Sequence, residues 1–267
     1  MFSGKTAIIT GATSGIGKAT AVHLASLGCN VLIDGRRAQK LEETKMTCVQ
    51  AGAKANQVLT IVGDITEKKH RVGLIEGALK KFGTMNILVN NAGCVVRKPD
   101  SEQTMDDYDR LFDTNLRSAV HLTQLTTPHL VSVKGTIVNV SSITSNLWYG
   151  SNLFYSMTKA AMDAFTKGLA LNLADKGVRV NAVNPGPIKT DLGLEQGKAG
   201  QEWFDITLKA QPIHRFGSPE EVAKAIAFLA SPNADFITGV CLSVDGGQLL
   251  TSNMSYLMRT CSDAHLA

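Results

Sequence analysis

The sequence predicts an α/β fold, a single domain built on one doubly wound parallel sheet of about seven strands with helices on both faces. Three observations carry this. Short runs that are apolar throughout alternate with longer stretches of helical period. Glycines stand just past several of those stretches, at 28, 52, 83 and 177, where a helix C-terminal cap belongs. No Pro/Gly/Ser-rich linker and no internal repeat divides the 267 residues.

The elements follow in order. Thr6–Thr10 reads as a strand and Ile16–Leu27 as a helix ended by Gly28. Asn30–Asp34 is a second strand, Ala38–Ala51 a helix, Val58–Val62 a third strand and Glu67–Phe82 a helix stopped by Gly83. Ile87–Asn90 is a fourth strand, followed by helical stretches from about Ser101 to Asn115 and from Leu116 to Leu130. Thr136–Val140, Val178–Val183 and Val240–Val244 complete the sheet, with helices at Tyr155–Ala174 and Pro219–Ala230 between them. Residues 1–248 form the domain in this reading. The irregular, Gly- and Pro-rich segment at about 190–212 is expected to act as a lid over substrate. Residues 249–267 are a tail.

Composition narrows the function classes. Hydrophobic residues make up 44% of the chain, which fits a soluble globular protein with a sizeable core. The net charge of +4 is spread among interleaved acids and bases rather than gathered into a nucleic-acid footprint, and pairs such as Arg36-Arg37 read as solvated surface. No apolar run approaches about 18 residues, so no membrane span is expected. Five cysteines without a Cys-x-x-Cys, and six histidines without ligand spacing, argue against a disulfide framework or a metal site. A reduced, cytoplasmic setting fits, and no targeting segment is expected.

The chemistry lies in two motifs. Thr10-Gly-Ala-Thr-Ser-Gly-Ile-Gly17 falls between a strand and a helix, where glycines let backbone amides approach a pyrophosphate at a helix N-terminus. Its spacing is Gly-x-x-x-Gly-x-Gly. Far downstream, Tyr155 and Lys159 share a helix face, and an ammonium so placed favours the phenolate. Ser142, thirteen residues before the tyrosine, ends a strand at the sheet edge where ligands bind in such folds. Ser141 is its rival.

With these motifs the chain resembles the short-chain dehydrogenase/reductase family, whose fold is Rossmann-like. The resemblance also rests on Asn90-Asn-Ala-Gly93, Asp64-Ile65, Asn115, Asn184-Pro-Gly-Pro-Ile-Lys-Thr190, Arg215–Val222 and Val244-Asp-Gly-Gly247, and so covers about residues 4–248. It implies Tyr155 as general acid/base, Lys159 as its activator and a hold on the nicotinamide ribose, and Ser142 as a hydrogen bond to the substrate oxygen. It implies Asn115 at a helix kink that holds a water linking Lys159 to solvent. It also puts Gly11, Ser14, Gly15, Ile16, Gly17, Asp64, Ile65, Asn91, Ala92, Gly93, Pro185, Gly186, Ile188 and Thr190 on the cofactor. Asp64 is open to a second reading, as a cap for the helix that follows. Pro187 stands where the family commonly has a β-branched residue.

The end of the second strand bears on the choice of cofactor. In Val31-Leu-Ile-Asp-Gly-Arg-Arg37, the place of an NAD-selecting carboxylate falls on Gly35, with Asp34 pointing to the other side and Arg36 offered to a 2′-phosphate. NADP(H) is therefore favoured over NAD(H).

The expected activity is hydride transfer between NADP(H) and a hydrophobic ketone, aldehyde or secondary alcohol, in a homo-oligomer. The alternatives are a 3-oxoacyl-carrier-protein reductase, with Arg97-Lys98 as a weak docking candidate, and a catalytically silent nucleotide-binding regulator. The expected substrate walls are Val95, Val96, Leu147, Trp148 and Phe154, with Leu192, Leu194, Trp203, Phe204 and Leu208 from the lid.

Overall fold

The computed structural model describes residues 1–96, 98–147, 152–190, 208 and 211–251. Among these, seven strands form one all-parallel sheet: β1 (Thr6–Ile9), β2 (Asn30–Gly35), β3 (Val58–Val62), β4 (Ile87–Asn90), β5 (Thr136–Val140), β6 (Arg179–Pro185) and β7 (Cys241–Val244). Their order is β3-β2-β1-β4-β5-β6-β7. The helices are α1 (Gly15–Ser26), α2 (Ala38–Gln50), α3 (Lys68–Phe82), α4 (Met105–Phe112), α5 (Ser118–Ser132), α6 (Leu153–Leu173) and α7 (Pro219–Ala230).

Side chains alternate across each strand, so one apolar run supplies two cores. Ala7, Ile9, Val31, Ile33, Val89 and Val138 face Leu24 of α1, Leu41 of α2 and Ile226 of α7. Ile8, Leu32, Leu88 and Ile137 face Leu74 of α3, Leu122 of α5 and Leu173 of α6. Strand order reverses between β1 and β4. The loops leaving those two strands therefore diverge and open a crevice at the carboxyl edge of the sheet.

Most element ends shift by a residue or two from expectation, and three differences shape the site. The helix anticipated from Ser101 begins at Met105, because Thr104 and Asp107 form a capping box: the Thr104 hydroxyl accepts the Asp107 N–H, and the Asp107 carboxylate accepts the Thr104 N–H. The junction of the next two helical stretches is a widened π turn at Asp113–Arg117 rather than a break. Helix α6 begins at Leu153, two residues before Tyr155, which places the tyrosine inside its first turn.

The lid segment lies outside the described residues except for Thr190, Leu208, Gln211 and Pro212, and so does the tail beyond Thr251. No helix among the described residues is long and apolar enough to cross a membrane.

Candidate active site

A cleft of about 550 Å³ opens at the carboxyl edge of the sheet, in the crevice between the β1 and β4 loops. One end is walled by the turn after β1. Gly11 and Gly15 adopt left-handed φ values of 67° and 54°, and a Cβ at Gly17 would run into Asn91 Nδ2 and the Gly11 carbonyl. Asn91 ties this turn to the loop after β4, its Nδ2 donating to the carbonyls of Thr10 (2.7 Å) and Gly11 (3.1 Å). In return the Thr10 hydroxyl accepts the N–H groups of Asn91 and Ala92. Ser14, Ile16, Ala92 and Gly93 line the same wall. A dinucleotide fits this geometry: the turn is closed to side chains and open to phosphate, at the N-terminus of the 12-residue helix α1.

Beyond the glycine turn, Arg36, Arg37, Asp64 and Ile65 line the cleft. A Cβ at position 35 would press on Thr13 Cγ2 at 2.5 Å, so a carboxylate there requires the Thr13 side chain to turn aside. Asp34 leaves the strand on the side of α3, as its place in the strand dictates, where it meets His70, but it also borders the cleft and accepts the Gly11 N–H at 2.7 Å. Arg36-Arg37 is more than solvated surface: Arg37 donates to the hydroxyls of Thr13 (2.9 Å) and Ser14 (3.2 Å), across the phosphate turn. Asp64 caps the turn that follows, accepting from Thr66 N and Oγ1 at 2.8 Å each, and it also lines the cleft. It does not cap the helix that follows, contrary to its second reading, because α3 starts at Lys68 with Glu67 as its N-cap.

The other end gathers Ser142, Tyr155, Lys159, Pro185, Gly186, Ile188 and Thr190. Consecutive serines leave β5 on opposite sides. Ser141 Oγ donates to the Lys159 carbonyl (3.1 Å), whereas Ser142 Oγ, which accepts the Thr144 N–H, lines the cleft. Lys159 is 4% exposed; its Nζ donates to the Val140 carbonyl (2.8 Å) and stands 5.5 Å from the Tyr155 ring centroid. Burial pushes the Lys159 ammonium down to about 8, against the opposing pull of Cys94 and Asp163. Such an ammonium exchanges protons near neutral pH.

Asn115 lies behind the cleft rather than in its lining. It sits in the π turn, and its Oδ1 accepts the Cys94 N–H (2.8 Å) while Nδ2 donates to the Cys94 carbonyl (2.9 Å) and to Thr158 Oγ1 (3.2 Å). It thereby straps the loop after β4 to α6. Asn184 does similar work below Ser142, donating to the Ser142 carbonyl, Ser145 Oγ and Asp163 Oδ2.

The substrate walls depart from expectation. Val95 lines the cleft, whereas Val96, Leu147, Phe154 and Leu208 do not; Phe154 packs edge-on against Tyr108 of α4. Ile143, Thr144 and Asn152 take their place, so the described lining is mixed rather than apolar. Trp148, Leu192, Leu194, Trp203 and Phe204 lie outside the described residues, as does Arg97. Lys98 is engaged by Asp107 at 2.8 Å. Sequence reasoning missed Arg37, Asn152 and the Asp34–His70 pair. Only the doubled arginine left a visible signal.

A family model described as enoyl-(acyl carrier protein) reductase matches residues 11–248. The chain is 38% identical over 261 residues to a tropinone reductase homolog of Arabidopsis thaliana, covering 96% of each protein. It is 36% identical over 252 residues to glucose 1-dehydrogenase 2 of Bacillus subtilis, covering 93% of this chain and 96% of that one. Among solved structures, a short-chain dehydrogenase/reductase of unknown function from Caenorhabditis elegans, determined with cofactor, superimposes with a TM-score of 0.91 at 37% identity, covering 96% of this chain and 98% of the other. Glucose dehydrogenase of the same organism, in its apo form, gives 0.81 at 38% identity, with 93% and 99% covered.

Proposed function

The chain belongs to the short-chain dehydrogenase/reductase family and is an NAD(P)-dependent oxidoreductase acting on CH–OH groups, and we propose that it moves a hydride between NADP(H) and a ketone, aldehyde or secondary alcohol with Tyr155 as general acid/base. One observation carries the reading: Ser142, Tyr155 and Lys159 share a single cleft with the glycine turn. Gly11, Ser14, Gly15, Ile16 and Gly17 would hold the pyrophosphate, Asp64 and Ile65 the adenine, and Asn91, Ala92 and Gly93 the adenosine ribose and its flank. Pro185, Gly186, Ile188 and Thr190 would hold the carboxamide. When bound, the nicotinamide supplies or accepts the hydride.

In reduction the Tyr155 hydroxyl gives its proton to the substrate carbonyl oxygen. Ser142 donates a hydrogen bond to the same oxygen as negative charge grows on it. The Lys159 ammonium, held by the Val140 carbonyl beside the tyrosine ring, steadies the phenolate left behind. Asn115 keeps the loop carrying Gly93 and Cys94 against α6. In oxidation the phenolate takes the alcohol proton.

Two features support NADP(H) over NAD(H): the lack of a carboxylate at Gly35, where a side chain would crowd Thr13, and the two guanidinium groups, Arg36 and Arg37, at the end assigned to adenosine. Val95 and Ile143 support an apolar substrate body; Thr144 and Asn152 leave a place for a polar substituent on it. The exposed Leu171 and Phe236 support assembly into a homo-oligomer, and cysteine usage supports a cytoplasmic setting. Static light scattering that returns the 28.5 kDa monomer mass would overturn the assembly reading.

The test is a panel of carbonyls and alcohols followed by NADPH and NADH absorbance, with Tyr155→Phe as control. Turnover by the native chain that collapses in the variant is expected. Equal turnover by both overturns the mechanism. Nucleotide binding without turnover of any substrate overturns the catalytic reading. Acyl-carrier thioesters belong in the panel because the matching family model is described by such a substrate; turnover confined to them selects that alternative.

A further inference from the structure

The N-terminus of α6 is capped by residues other than its own N-cap. Asn152 holds that position, where an Asn side chain ordinarily accepts an N–H of the first turn. Here its side chain accepts none. The first two N–H groups of α6 are met from outside instead: Leu153 N donates to Asp100 Oδ1 (3.2 Å) and Phe154 N to Gln103 Oε1 (3.3 Å). The Asn152 carbonyl accepts the Ser156 N–H at 3.0 Å, so the helix itself begins normally.

The Asn152 side chain is thereby released to the cleft, which it lines although the residue is only 8% exposed. Its Oδ1 accepts the hydroxyl of Ser156, a fully buried residue, at 3.5 Å. Its Nδ2 donates to no described residue. An amide donor in so sheltered a place is a cost that a ligand oxygen can remove. Asn152, Tyr155 and Lys159 stand at i, i+3 and i+7, on one stripe of α6, and all three line the cleft. About 4.5 Å of helical rise separates Asn152 from Tyr155. That is a span of a few bonded atoms. An oxygen one or two carbons away from the reacting carbon can therefore meet Asn152 while the reacting carbonyl faces Tyr155.

We propose that Asn152 is a specificity-determining residue whose amide donates to a second oxygen of the substrate. The preferred substrates are then hydroxy ketones and diketones, or the matching diols, with that oxygen one or two carbons from the reacting carbon. The inference rests on the hydride-transfer reading above and names the substrate class of the same site. A ketone with only alkyl neighbours leaves the amide unmet, and a site built to hydrogen-bond a substrate oxygen discriminates against the analogue that lacks it.

The experiment adds to the panel ketones matched in shape that carry either hydroxyl or methyl beside the carbonyl, such as 2-hydroxycyclohexanone against 2-methylcyclohexanone, together with open-chain pairs. The native chain should favour the hydroxyl member by about ten- to a hundredfold in kcat/KM. Asn152→Leu should erase that preference by raising KM for the hydroxyl member, with kcat for the methyl member nearly unchanged. Asn152→Ser, which restores a donor, should recover part of it. A merely structural role at the start of α6 would cost both members alike and keep the preference, which overturns the proposal. Native turnover of ketones without preference for the hydroxyl member also overturns it, even where neither variant folds, and leaves hydride transfer standing. Failure to turn over any ketone or alcohol refutes instead the catalytic reading beneath it.

Discussion

At the end of the cleft proposed for catalysis, two groups are buried and a third is half-buried: Lys159 is 4% exposed and bonded to the Val140 carbonyl, Ser142 is 8% exposed on a strand end, and Tyr155 is partly exposed. At the adenosine end, Arg36 and Arg37 stand exposed on the loop after β2. The contrast follows from what each end has to do. On the proposed mechanism, the ammonium beside the tyrosine is shifted from its solution behaviour, and burial supplies that shift at a cost in stability. Recognising a phosphate needs only charge of the right sign, which a hydrated rim provides and which also speeds encounter. On the proposed reading, chemistry is built towards the core and cofactor choice onto the edge. The second should be far easier to alter than the first.

The sharpest way to break this comparison is at Tyr155. Tyr155→Phe keeps the ring beside Lys159 and removes the transferable proton; kcat should fall by about 10²–10⁴-fold with nucleotide affinity nearly unchanged. A small loss in steady-state turnover would mean the buried end is not where the chemistry happens.

Next in size is the rim. Arg36→Ala should weaken NADPH binding by about ten- to a hundredfold, the worth of one charge-assisted contact to phosphate, and NADH binding by less than about twofold. Fluorescence titration of both nucleotides decides this. Equal losses for the two would show that Arg36 shapes the loop rather than reading the phosphate.

A third prediction concerns the cost of burial. Lys159 carries an ordinary value of 10.5 in the unfolded chain and about 8 in the folded one. Below pH 8 both states are protonated and the folded state bears the full burden of a buried charge. Between about 8 and 10.5 the unfolded chain holds more protons, so stability rises with pH across that window. Lys159→Met should therefore abolish turnover yet stabilise the fold at pH 7, by about 1–2 kcal/mol after the orphaned Val140 carbonyl is counted. Urea unfolding at pH 7 and pH 9.5 should show the gap closing at the higher pH. A variant less stable than the native chain at pH 7 would contradict the argument.

The smallest effect belongs to an ion pair that does not line the cleft. Lys98→Ala breaks the contact with Asp107, and the melting temperature should shift by no more than about 2 °C. A larger shift would show that rim charges matter more than the comparison allows.

Legibility in the sequence followed the same divide. The strands could be read because buried parallel strands are apolar throughout, and the glycine turn because residues 11, 15 and 17 each lack a side chain for a steric reason. That Tyr155 and Lys159 share a helix face could be read from their spacing, whereas the choice of Ser142 over Ser141 came with the family resemblance. What could not be read depends on side chains meeting across the fold. Nothing local to residue 70 announces that it will meet Asp34, thirty-six positions away. The substrate walls were misjudged because apolar character does not tell which way a loop side chain turns, and Phe154 turns onto Tyr108. The start of α4 was misplaced because Thr104-x-x-Asp107, a stop-and-start signal, was absorbed into one longer helical run.

The hydrogen bond from Ser141 to the Lys159 carbonyl has one more consequence. Each residue of an α-helix is rotated about 100° from the last. A slip of α6 by a single position would swing the ammonium a quarter-turn or more out of the cleft while leaving every helical bond intact. The Ser141 hydroxyl works as a key in a shaft: it indexes the rotation of α6 at the very residue whose angle matters, and a mutation there would mistime the enzyme without touching any reacting atom.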